Sequence, residues 1–386
     1  MNSPARRAAI RRLVLTDFRN YAHIELRLSG EPVVLWGANG AGKTNLLEAI
    51  SLLSPGRGLR RAPFDDCACM TGEGAWAVAS EVEGPLGAAR LGTGRLATSD
   101  AGSGQRQCRL DGVMLNGPAA FTDHLRMAWL TPAQDRIFSG PAADRRRFLD
   151  ALVATDNPRH GRIASAFTQA MRERNRLLAA PRPDPAWVGA LETQMAETGV
   201  AIAAARTVAI SRLQTLIADA ASAFPPARVT LDGNLEADLE IAAAVDVEEA
   251  YRQRLNNERP RDAAAGRTLE GPHRSDMLVT HGHTGVAAEH CSTGEQKALL
   301  ISIVLAQARL IASDFSGFAP VLLLDEIAAH LDSTRRHALF DELLALGCQA
   351  WLTGTDRNLF ESLEERATFV NVDGGKLTGY APANRA

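Results

Sequence analysis

Three glycines, a lysine and a threonine fall at fixed spacing in GANGAGKT, Gly37–Thr44. The pattern is G-x4-G-K-[ST]. Gly37, Gly40 and Gly42 let the backbone curl until its N–H groups, including those of Ala38, Asn39 and Ala41, face a phosphate. Lys43 reaches the β- and γ-phosphates of a nucleoside triphosphate as a point charge, and the Thr44 hydroxyl is a ligand for Mg²⁺. A second constellation is VLLLDE, Val321–Glu326. An apolar strand ending in Asp presents Asp325 to Mg²⁺, directly or through water. Glu326 beside it is the candidate general base for an attacking water. On its own, Glu326 also fits an acid stabilised at a helix N-terminus.

These side chains need a scaffold, and the flanking residues predict one. PVVLW (32–36) is a short apolar run that reads as a buried strand, and NLLEAISLL after the glycines has helical spacing. VLLLD (321–325) and QAWLT (349–353) read as further strands, each followed by a helical pattern. RLVLT (12–16) and HIELRL (23–28) alternate apolar and polar, the mark of strands with one wet face. Residues 75–115 hold β-like pieces separated by Gly and Pro, which predicts hairpins or a meander. Beyond Pro141 the character turns helical over 142–180 and 186–223, with a break at PRPDP and another helix at 246–258. A helix of roughly 35 residues would be about 50 Å long, so this insertion could project. The apolar run 298–312 contains Gln307 and Arg309 and reads as a buried helix rather than a membrane span. The tail after Gly379 is expected to fray.

Composition sets the class. The chain has 386 residues, 46% hydrophobic and 23% charged, with a net charge of −3, so it is an ordinary globular protein whose basic surface, if any, is local. Lys43, Lys297 and Lys376 are the only lysines, and two of them lie in nucleotide-site motifs. Five irregularly spaced cysteines have no zinc-finger spacing, which points to reduced thiols in the cytoplasm. No apolar leader follows the basic N-terminal residues.

CSTGEQKALL, Cys291–Leu300, resembles the ABC signature in its SMC-like form. Ser292, Thr293, Gly294 and Glu295 open a helix whose N-terminus would be a second anion site. The same residues also describe a serine N-cap with Glu295 at the capping position. The order P-loop, signature, VLLLDE and AAHLD (Ala328–Asp332) is that of ABC ATPases. That resemblance implies a signature that caps ATP held by another copy, with Asp332 in a D-loop at the dimer seam. LVLTDFRNY (13–21), GPAADRRRFLD from Gly140, GPHRSD (271–276), STGEQKALL and LLLDEIAAHLD resemble the RecF family more narrowly. In that family GPHRSD re-enters the ATPase head.

What the RecF resemblance implies is an α/β head of the ABC P-loop type, built from both ends of the chain, with an inserted α-helical arm. The expected segments are 1–141, 142–258 and 259–386. It also implies ATP and Mg²⁺ as cofactors, a homodimer formed with ATP, DNA at single-strand gaps or junctions as partner, RecO and RecR as mediators, and no membrane. Gln134 is the Q-loop candidate, although LTPAQDRIF is not a standard Q-loop and a turn residue after Pro132 competes. Thr353 and Thr355 both occupy the switch region, and the sequence does not choose between them. Arg57, Arg60, Arg61, Arg145–Arg147, Arg172, Arg174 and Arg176 are candidates for phosphate contact, with salt bridging as the default. Arg274 and His273 are open between ligand contact and packing. Two other readings stand beside this one: an SMC-like ATPase partnered with a nuclease, which calls for a long coiled coil or an attached metal-carboxylate domain, and the nucleotide-binding subunit of a transporter, which usually carries a switch histidine after QAWLT.

Overall fold

In the strand Trp76–Gly84, burial alternates residue by residue: Trp76, Val78, Ser80 and Val82 are buried, whereas Ala77, Ala79, Glu81 and Glu83 face solvent. The period of two is that of a sheet with one dry face. Its sheet is antiparallel and six-stranded, with strand order Tyr21–Arg27, Ala9–Phe18, Trp76–Gly84, Gly87–Arg95, Gln107–Leu110 and Val113–Leu115. The meander expected over 75–115 supplies the last four of these strands. The computed structural model describes residues 6–97 and 105–380. Residues 98–104 of the expected meander, and the tail from 381, lie outside the described residues.

A second six-stranded sheet has no wet face at its centre. Val321–Leu324 is buried at every position, and Ala350–Gly354 likewise, as expected of strands covered on both faces. The order is Lys376–Thr378, Thr368–Asp373, Val33–Trp36, Ala350–Gly354, Val321–Leu324 and Met127–Leu130. The last five run parallel, and Lys376–Thr378 is an antiparallel edge. Both ends of the chain therefore build one sheet, as the α/β expectation required. The parallel strands bring the loops at their carboxyl ends to one edge, the usual place for a ligand in such sheets.

The chain divides into two units. One contains both large sheets and comprises the residues up to Asp135, Ala221–Phe224, and those from Ile301 onward. The other comprises Arg136–Ala220 and Pro225–Leu300 and is mainly helical. The helical segment was expected over 142–258; the second unit of the structure also includes Gly271–Asp276 and ends at Leu300. Three arginines of the same unit hold Gly271–Asp276. Arg206 donates to the Pro272 carbonyl at 2.7 Å, Arg146 to that of Ser275 at 2.9 Å, and Arg145 forms a bidentate pair with Asp276. A strand pair adds to this hold: Ala227–Asp232 lies antiparallel to Asp276–His281, which the sequence reading did not contain.

The segment 142–180 is two helices, Ala142–Asp156 and His160–Leu178. Pro158 separates them, because it lacks an N–H and drives Asn157 out of the helical region. The long helix Pro185–Ala218 starts with Pro185 at its first position and Asp184 as N-cap, accepting from Ala186 N at 2.9 Å. It buries Met195, Ala196, Val200 and Ala203 against Phe167, Tyr251 and Leu255. It and Thr293–Asp314 are long and apolar enough to cross a membrane by length and composition alone. The apolar stretch of Thr293–Asp314 is 83% buried, matching the buried helix expected there.

Candidate functional site

The glycine-rich loop Gly37–Gly42 follows the central strand Val33–Trp36 and leads into the helix Lys43–Ser51. Gly42, at the helix N-cap, has φ 118°, a value that a side chain would strain. Ala38, Asn39 and Gly40 form the exposed tip, whereas Ala41, Gly42 and Lys43 are buried. The Lys43 ammonium donates to the carbonyls of Gly37 at 2.7 Å and Ala38 at 2.8 Å. Burial lowers the Lys43 pKa from its ordinary value, with Glu326 and Asp325 opposing the shift.

Thr44, the next residue, donates from its hydroxyl to the Asp325 carboxylate, 3.0 Å from each oxygen. Asp325 is 5% exposed and ends the strand Val321–Leu324. The parallel register pairs Leu324 with Leu352, which brings Thr353 beside Asp325. The Thr353 hydroxyl donates to Asp325 Oδ1 at 2.8 Å and accepts from the Glu326 backbone N–H at 2.8 Å. Glu326 itself sits in the left-handed region at φ 52°, an uncommon conformation for a residue with a side chain. Thr44 and Asp325 thus offer two hard oxygen donors to one point. That suits Mg²⁺, which takes one or two protein ligands and fills its shell with phosphate and water oxygens. No cluster of three or more His, Cys, Asp or Glu suited to a metal occurs among the described residues.

The structure brings Gly37–Thr44, Asp325, Glu326 and Thr353 to the same sheet edge. Thr355 lies just beyond and is exposed, whereas Thr353 is fully buried. Gln134 follows the neighbouring strand Met127–Leu130, where its side-chain oxygen accepts from the Thr131 N–H at 2.8 Å and caps a short turn. Asp332 caps the helix Ser333–Ala345 through the Arg335 N–H at 2.9 Å. Ser292 and Glu295 lie in the helical unit and form a reciprocal cap. The Ser292 N–H and hydroxyl donate to Glu295 Oε2 at 2.8 and 2.7 Å, and the Glu295 N–H donates to Ser292 Oγ at 3.3 Å.

Several candidate arginines are engaged elsewhere. Arg174 is fully buried against Glu192 and Asp262, Arg145 pairs with Asp276, Arg147 with Asp144 and Arg176 with Glu173. Arg60 pairs with Glu48, while Arg57 and Arg61 are exposed. His273 accepts its packing role: it lies 5.8 Å from the Phe167 ring and bonds the Thr268 carbonyl. Sequence reasoning gave no role to Asn20 and Tyr21, which lie against the glycine-rich loop, or to Glu48 on the helix that follows it. A signal was present, since FRNY was singled out, but a β-turn gives no hint of which distant loop it meets.

Comparison with known proteins agrees with this geometry. The sequence profile of the RecF/RecN/SMC N terminal domain matches residues 9–377. The chain is 54% identical over 370 residues to the DNA replication and repair protein RecF of Mesorhizobium japonicum, covering 95% of this chain and 97% of that one. It is 52% identical to the protein of that name from Rhizobium meliloti, covering 95% and 98%. Among solved structures, the recombination mediator protein RecF-ATPrS in the RecFOR pathway superposes with a TM-score of 0.84 at 21% identity, over 98% of this chain and all of that one, a likeness of fold. A profile spanning nearly the whole chain, joined to identity above half with full-length relatives, fixes the assignment: the chain belongs to the RecF family of DNA replication and repair proteins, within the RecF/RecN/SMC group.

Proposed function

We propose that the chain binds and hydrolyses ATP as a dimer on DNA, in recombinational repair and replication restart in the cytoplasm. In this reading two copies assemble with ATP at gapped DNA or a single/double-strand junction and separate after hydrolysis. RecO- and RecR-type mediators are the expected partners. The observation that carries it is the Thr44 hydroxyl held 3.0 Å from both Asp325 oxygens beside the loop lysine. Few arrangements other than a nucleoside triphosphate site call for those groups together.

Each residue then has a task. The loop N–H groups and Lys43 bind the β- and γ-phosphates, and Thr44 and Asp325 hold Mg²⁺. When bound, the ion spreads the negative charge of the phosphates. Glu326 takes a proton from the attacking water as the new P–O bond forms and the β–γ bridging bond breaks, leaving ADP and phosphate. Thr353 keeps both acidic residues in place, and Thr355 is left toward solvent. Ser292, Thr293, Gly294 and Glu295 of a second copy cap the γ-phosphate, with Asp332 at the seam. Gln134 is assigned to its turn. A lone head leaves the γ-phosphate open on one side, so slow turnover without a partner copy and stimulation by DNA are expected.

The test is Lys43→Met, which removes the phosphate's counter-charge and keeps side-chain length. Calorimetric titration is expected to show ATP binding to the wild type and none to the variant. Equal affinity in both would refute the site.

A further inference from the structure

The FRNY turn, Phe18–Tyr21, has no task in the chemistry above, yet it lies against the phosphate loop. Two buried aromatic residues anchor it. Phe18 packs edge-on to Trp76 with ring centroids 5.6 Å apart, and Tyr21 is fully buried. The turn between them passes through Arg19 at φ 53° and presents Asn20. Asn20 Nδ2 donates to the Ala41 carbonyl at 3.1 Å, and the Tyr21 hydroxyl donates to the Gly42 carbonyl at 2.9 Å.

Each of these carbonyls receives a second donor. The Gly375 N–H reaches Ala41 O at 3.2 Å, and the Leu46 N–H reaches Gly42 O at 3.1 Å. The space that a β-carbon on Gly42 would need is filled by Asn20 and by the Tyr21 hydroxyl, 2.8 Å away. The turn is fixed in its own right. Asn20 Oδ1 accepts from Asn45 at 2.7 Å, and Arg19 forms a bidentate pair with the buried Glu48, at 2.9 and 2.7 Å.

A peptide unit is planar and trans, so its C=O and the following N–H point opposite ways. Holding the Ala41 carbonyl therefore aims the Gly42 N–H, and holding the Gly42 carbonyl aims the Lys43 N–H. Both carbonyls are drawn toward the FRNY turn, which turns both N–H groups away from it. We propose that Asn20 and Tyr21 are positioning residues for phosphate binding: they grip the back of the loop and preset the last N–H donors and the Lys43 stem for the triphosphate. This rests on the ATP site proposed above.

A grip that acts before the chemical step helps the bound substrate and the transition state equally, so its loss raises KM and leaves kcat alone. A purely structural contact behaves in the opposite way, because a smaller folded fraction lowers the apparent kcat at constant KM. Tyr21→Phe removes one hydroxyl and keeps the ring, and Asn20→Ala removes the amide. Steady-state ATP hydrolysis by the full chain with gapped DNA is expected to show KM raised about three- to tenfold in each, the worth of one hydrogen bond, with kcat within twofold. Unchanged KM in both variants overturns the proposal, and so does a fall in kcat beyond twofold in Tyr21→Phe, whether or not KM moves. If the wild type itself neither binds nor hydrolyses ATP, the nucleotide site fails and its grip with it, an outcome plainly different from a wild-type chain whose Tyr21 and Asn20 variants keep its KM.

Discussion

At the residue scale the acidic centre depends on one hydroxyl. Thr353 donates to Asp325 and accepts from the Glu326 N–H, both at 2.8 Å, and so links the proposed metal ligand to the proposed base. Glu326 occupies a left-handed conformation, which persists only where surrounding contacts hold it. Thr353→Val keeps the shape, cuts both bonds and leaves the Glu326 N–H without its acceptor. Losing a bond to a charged group while orphaning a donor costs about 1.5–3 kcal/mol, so kcat is expected to drop about ten- to a hundredfold. ATP affinity should stay within about threefold, since the phosphates meet other groups, and Thr353→Ser should recover most of the rate. Stopped-time hydrolysis and calorimetric titration on the three proteins check this; a valine variant as fast as the wild type would leave Thr353 without a task. The sequence offered Thr353 and Thr355 as equals because both occupy the switch region at the end of QAWLT. What separates them is register: pairing of Leu324 with Leu352 sets Thr353 beside Asp325, while Thr355 lies past the strand in solvent. By contrast, Gly37–Thr44 was legible directly, since glycine at fixed spacing before Lys-Thr encodes the loop geometry itself.

At the scale of elements, helix faces decide what residue type alone does not. Arg172, Arg174 and Arg176 look alike in sequence, and all three were candidates for phosphate contact. Phe167, Ala170, Arg174 and Leu178 form one buried stripe at spacings of three and four, and Arg174 falls on it. That stripe was readable, but all of the 42 basic residues except three lysines are arginines, so one arginine among many did not stand out. Arg174 meets Glu192 at 3.0 Å, Asp262 at 2.6 Å, the Thr268 hydroxyl and the Leu255 carbonyl. The strand Ala227–Asp232 and its partner Asp276–His281 were less legible, because short strands far apart in sequence declare themselves only once paired. Arg174→Met fills similar space yet leaves two buried carboxylates short of a cation. Breaking such a pair from one side costs about 3–5 kcal/mol. Arg172→Met, on the exposed face, should change stability by less than about 0.5 kcal/mol. Urea unfolding of both variants measures the difference; equal midpoints would show that the buried cluster contributes no stability.

At the scale of the whole molecule, the order of motifs along the chain carried the fold, since strands from both ends had to share the sheet that holds Lys43 and Asp325. The proposed closing of the γ-phosphate by a second copy is not displayed by a single chain. Ser292 and Glu295 satisfy one another in a reciprocal cap, so the helix N-terminus is neutralised within its own chain. For that end to bind a phosphate, the Glu295 carboxylate must give way to the incoming anion, which the helix N-terminus favours equally well. On the proposed function, assembly would then be coupled to the γ-phosphate: ADP lacks the group that would displace Glu295, and ATP supplies it. A variant that binds ATP without hydrolysing it should therefore be trapped assembled. Glu326→Gln removes the base while sparing Lys43, Thr44 and Asp325. With ATP and gapped duplex, light scattering after size exclusion is expected to give twice the monomer mass, and with ADP the monomer mass. Adding Ser292→Arg to that variant places a bulky side chain where the cap must meet phosphate, so ATP should still bind while the dimer is lost. Persistence of the dimer in the double variant would mean that the two copies meet through some other surface, and that the serine-bearing helix end is no more than a well-made N-cap.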